Sequence, residues 1–74
     1  GGMHIFIKLK NINSRKLLAK CYRRKVIFTP GDVFYVDDKG QDTLRLGFSR
    51  VSKENIKKGF MVIGEEIKKL GGYV

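Results

Sequence analysis

Polar and apolar positions alternate from Met3 to Lys10, with Ile5, Ile7 and Leu9 on one side and His4, Phe6, Lys8 and Lys10 on the other. Successive side chains of a strand point to opposite faces, so the pattern predicts a strand with one face in a core. Asn11 to Ser14 is polar, and Asn13 or Ser14 caps a helix whose apolar stripe is Leu17, Leu18, Cys21 and Tyr22. Val26, Ile27 and Phe28 predict a short buried strand ended by Thr29, Pro30 and Gly31, because proline cannot donate to a ladder and glycine permits a sharp change of direction. Val33 to Val36 is a second apolar tract, extended or folded as a covering loop, and Asp37 to Asp42 is a polar turn. Leu44, Leu46 and Phe48 alternate along a strand from Thr43 to Ser49. Ser52 caps a final helix with Glu54 in its first turn, Ile56, Phe60, Ile63, Ile67 and Leu70 toward the core, Met61 and Val62 beside that stripe, and Gly71 as its stop.

The order strand, helix, strand, strand, helix predicts an α+β two-layer sandwich, a small mixed or antiparallel sheet with two helices on one face. Seventy-four residues make one domain, near the size at which a single core only just outweighs chain entropy. Gly59 and Gly64 each weaken the last helix by about 1 kcal/mol relative to alanine. Their presence suggests close approach of another element, or an interaction face.

The face of the Thr43 to Ser49 strand opposite the leucines carries Thr43, Arg45, Gly47 and Ser49. Three of these are small, so little is expected to cover the guanidinium of Arg45. A planar, permanently charged fork in open space suits a carboxylate or phosphate; the same alternation also describes a solvated strand arginine. Arg23, Arg24 and Lys25 close the first helix, either complementing its dipole or forming a phosphate-binding cluster. The stretch D-D-K-G-Q-D at 37–42 lacks the spacing and closing glutamate of a calcium loop. A lone Cys21 and a lone His4 cannot build a zinc site. Cys21 is expected to be a small buried hydrophobe, and His4 a polar strand end.

Sixteen Lys and Arg against seven acids give a net charge of +9 and a pI near 10.0. That balance favours an acidic partner and supports a stand-alone basic module binding RNA or DNA. Against it, most aromatics fall on or beside apolar tracts, and neither an RNP-like aromatic strand nor a G-x-x-G clamp is present. No apolar run is long enough to span a bilayer and no signal peptide is visible, so the expectation is a cytoplasmic protein with no membrane partner.

Four pieces, in order, resemble the small-domain segment at the C-terminus of fold-type I pyridoxal-phosphate aminotransferases of class I and II. They are G-G-M-H-I-F-I at residues 1–7, V-I-F-T-P-G-D-V-F at 26–34, T-L-R-L-G-F-S at 43–49 and S-K-E-N-I-K-K-G-F at 52–60. The resemblance implies that Gly1 and Gly2 are native and that a longer parent surrounds this chain. It implies that Arg45 binds the α-carboxylate of an amino-acid substrate or effector, and that Pro30, Gly31 and Phe34 lie near the active-site entrance. It also implies pyridoxal phosphate in the full-length parent and none held here, because the Schiff-base lysine, the aspartate facing the pyridine nitrogen and the phosphate-binding groups belong to the family's large domain. That missing large domain, and a second copy in a homodimeric parent, are the implied partners. The parent is either a stand-alone aminotransferase or a MocR-type regulator of the GntR family, which contacts DNA only through a separate winged helix.

Overall fold

The computed structural model describes residues 4–37, 39–47 and 52–74. Its elements are β1 (His4–Lys8), α1 (Ser14–Arg23), β2 (Thr29–Pro30), a 3-10 turn (Gly31–Phe34), β3 (Thr43–Gly47) and α2 (Lys53–Lys69). The three strands form one sheet in the order β1-β3-β2, antiparallel throughout. The expected α+β sandwich is therefore present, and its sheet is antiparallel rather than mixed.

Register decides what each face carries. Ile5 pairs with Leu46 and Ile7 with Leu44, so these four share one face. The buried core joins Leu44 and Leu46 to Leu9, Leu17, Cys21, Phe28, Val62, Ile63 and Ile67, which come from both helices and the segments between. Phe6 pairs with Arg45, and Thr29 pairs with Arg45 from the other edge, so the opposite face carries Phe6, Arg45 and Thr29 in a row.

Both helices begin and end on devices readable in their sequences. The Asn13 side chain accepts from the backbone N–H groups of Arg15 and Lys16, and Ser52 accepts from Asn55. At the end of α2, Gly71 takes φ +78°, with Gly71 N–H donating to Lys68 and Gly72 N–H to Ile67. The end of α1 repeats this arrangement: Lys25 N–H donates to Tyr22 and Val26 N–H to Cys21. Here Lys25 occupies the left-handed position, at φ +64°, where glycine is usual.

Several sequence expectations shift. Val26, Ile27 and Phe28 form no strand; the pairing falls on Thr29 and Pro30. Proline is tolerated there because β2 is an edge strand, needing hydrogen bonds on one side only. Ile27 is 70% exposed and Tyr22 65%, so neither joins the core. On α2, Val62 is buried while Phe60 is largely exposed, which turns the core stripe part of a helical turn from the Phe60 register. Val33 to Val36 is not a strand: the 3-10 turn runs through Phe34, and Val33, Tyr35 and Val36 are exposed. Phe48 and Ser49, expected to extend β3, lie outside the described residues. A Cβ on Gly64 would meet nothing within 4 Å, and one on Gly59 only Val26, so no element of the described chain approaches these glycines closely.

Candidate functional site

β3 is the central strand, which fixes Arg45 in the middle of the sheet face turned away from the helices. The guanidinium carbon lies 4.8 Å from the centroid of the Phe34 ring. A cation over an aromatic face at this range is attracted by about 0.5–1 kcal/mol where exposed, and by about 2 kcal/mol where desolvated. Phe34 in turn meets Phe6 edge to face, with ring centroids 5.7 Å apart. The expectation that little covers Arg45 is thus corrected: the 3-10 turn folds Phe34 back over the strand, and the guanidinium lies over its ring. Arg45 is half-buried, and among the described residues no carboxylate pairs with it.

The 3-10 turn is held where it can do this. Asp32 accepts from Nε and from an Nη of Arg15 on α1, at 2.6 and 2.9 Å, the parallel two-bond geometry that favours arginine over lysine. The Arg15 hydrogen bonds hold the Asp32 carboxyl below its ordinary range. Gly31 is buried against β3, where a Cβ would overlap the Thr43 hydroxyl. Gly40, at φ +81°, sits against Tyr35, where a Cβ would lie 2.5 Å from the ring. Pro30 pairs with Leu44. The structure therefore brings Pro30, Gly31 and Phe34 to the same strand as Arg45, and among the three it is Phe34 that touches it.

Arg15 and Arg24 stand in contrast, each paired with carboxylates. Arg24 donates to Glu66 at 2.8 Å and to Glu65 at 2.9 Å, tying the end of α1 to α2. Its guanidinium is therefore engaged by two carboxylates, which removes it from the proposed phosphate cluster of Arg23, Arg24 and Lys25. Glu66, one of two buried polar residues in the chain's described part, also accepts from Lys69. Hydrogen bonding from Arg24 first, and from Lys69 as well, holds its carboxyl below the ordinary range. Glu65 pairs with Arg24 as well. Burial, reinforced by Glu66, pushes the Cys21 thiol up to about 11, so it behaves as the small core hydrophobe expected.

Two grooves lie elsewhere. One of about 290 Å³ runs between Val26, Ile27 and the first half of α2; another of about 660 Å³ opens between Lys8, Asn13, Tyr35 and Thr43. Arg45 lines neither. No helix among the described residues is long and apolar enough to cross a membrane.

The chain as a whole has relatives among known proteins. The chain is 39% identical, over 92% of its length, to an uncharacterized aminotransferase of Saccharolobus solfataricus. It is 31% identical over 95% of its length to a 2-aminoadipate transaminase of Thermus thermophilus, and 32% identical over 92% to an aromatic-amino-acid aminotransferase of Thermococcus litoralis. The chain is related to aminotransferases. It spans 16–18% of the length of these relatives. No protein-family model and no solved structure matches it. Sequence reasoning singled out Arg45 and gave no sign of a part for Phe6 or the Arg15–Asp32 clamp, which the structure places around it. Phe6 was visible as a residue on the polar side of β1; its placement beside Arg45 follows only from the β1–β3 register.

Proposed function

We propose that this chain is the small-domain segment of a pyridoxal-phosphate-dependent aminotransferase, and that Arg45 binds the α-carboxylate of its amino-acid substrate. The observation that carries the reading is the match of almost the whole chain to three aminotransferases. Arg45 supports it physically: it is half-buried, without a carboxylate partner among the described residues, and its guanidinium lies over an aromatic ring that offers no competing acceptor atom. Two parallel charge-assisted hydrogen bonds from such a fork fix both the position and the plane of a carboxylate, which orients the rest of the ligand.

The described residues do not form a cradle for pyridoxal phosphate. Such a site needs a lysine for the Schiff base and a partner for the pyridine nitrogen. Here Arg45 stands on an open sheet face, and the nearby Asp32 is committed to Arg15. The cofactor, and the chemistry it supplies, belong in this reading to the remainder of the parent. The regulator reading shares Arg45 but has no support from the relatives' names, so the enzyme is put first.

The test is kinetic. In the full-length protein, Arg45→Lys is expected to raise KM for the preferred amino acid roughly ten- to a hundredfold, the loss of a charged, paired hydrogen bond. An unchanged KM contradicts the assignment of Arg45. An absence of amino transfer to a 2-oxo acid from the standard amino acids and from 2-aminoadipate contradicts the enzyme reading.

A further inference from the structure

Arg45 is the only described arginine with its guanidinium over an aromatic ring; two contacts converge on that ring and a third holds the turn that carries it. Phe34 supplies the flat surface under the guanidinium, Phe6 abuts its edge, and the Arg15–Asp32 clamp anchors its turn from α1. We propose that Phe34 is a positioning residue for ligand recognition, setting the plane in which Arg45 presents its N–H fork. This rests on the carboxylate-binding reading of Arg45 and deepens it.

The physical argument is one of freedom removed. An arginine on an exposed strand samples many rotamers, and a two-bond contact with a carboxylate requires one plane of the guanidinium. A ring whose centroid lies 4.8 Å from the guanidinium carbon fills one side of the group and narrows the orientations from which its five N–H donors can reach a ligand. Phe34 has no polar atom to compete for those donors, and at 46% exposure it is not a core residue whose removal collapses the fold. The neighbouring strand positions agree: Thr29 and Phe6 flank Arg45 in register, and neither brings a charge. An arginine held in this way discriminates a planar carboxylate from a ligand without one, and Phe34 is the residue that sharpens the discrimination.

The experiment uses the full-length protein and two probes with the same ring and amine, L-phenylalanine and 2-phenylethylamine, which lacks the carboxylate. Binding of each is measured by calorimetry for the unmodified protein and for Arg45→Lys, Phe34→Leu, Phe34→Tyr and Tyr22→Leu, the last an exposed aromatic on α1. The expected result is that Phe34→Leu weakens binding of the amino acid about three- to thirtyfold, the range of a lost cation–π contact. Binding of the amine is unchanged, Phe34→Tyr restores the amino acid, and Tyr22→Leu alters neither. Loss of discrimination in Arg45→Lys but not in Phe34→Leu overturns the positioning role alone. Equal weakening of both probes by Phe34→Leu also overturns it, since the residue is then merely structural. If the unmodified protein does not discriminate between the probes, or Arg45→Lys retains full discrimination, the carboxylate reading itself fails.

Discussion

Glu66 shows how a single buried charge is made tolerable. A carboxylate removed from water must be paired on most of its oxygens, and Arg24 and Lys69 both reach it. Its folded pKa lies below its unfolded one, so the contribution to stability is complete above the ordinary glutamate range. It is lost as pH falls through the depressed folded value. Denaturant midpoints measured from neutral to acidic pH should therefore fall on the acid side, and Glu66→Gln should flatten that fall while lowering stability at neutral pH. Lys25 is the second residue of interest, because it holds φ +64° where a Cβ is strained. Lys25→Gly should stabilise the chain by roughly 1 kcal/mol, read as a higher thermal midpoint. Arg45 was legible at this scale, since alternation along Thr43 to Gly47 separates it from the leucines. Phe34 over its guanidinium was not, because nothing in the V-F-Y-V tract says that the chain turns back through a 3-10 helix.

Among elements, those with long periodic patterns were read correctly and the short ones were not. α1 and α2 carry capping residues and sustained stripes, and β1 and β3 alternate cleanly. β2 defeats the same reasoning. Val26, Ile27 and Phe28 are more strand-like than Thr29 and Pro30, yet the antiparallel match to Arg45 and Leu44 selects the latter pair. Tertiary pairing outweighs local propensity when a strand is two residues long. The glycines of α2 raise a separate question. Gly64 is exposed, with open space where a Cβ would stand, so Gly64→Ala should stabilise the isolated chain by about 1 kcal/mol. For a domain of this size that is a rise of roughly 4–8 °C in Tm. The same change in the full-length parent should be neutral or destabilising if a further element packs on that face.

Over the whole molecule, burial is concentrated on one side of the sheet. The helices cover Leu44 and Leu46, while Phe6, Phe34 and Arg45 stand on the other face, with Phe6 63% exposed. That asymmetry was predicted by the alternation of β1 and β3, and it gives the aminotransferase reading its geometry: a ligand-binding arginine on a bare face that a larger parent would have to roof. The net charge of +9 distinguishes less, because Arg15 and Arg24 are consumed in holding elements together. The most direct test of this account is the reading frame upstream of Gly1. It predicts an uninterrupted coding sequence in frame with this chain, several times its length and carrying a lysine-bearing cofactor domain. A frame that opens at Met3 would contradict it, and would return the basic nucleic-acid-binding module to first place.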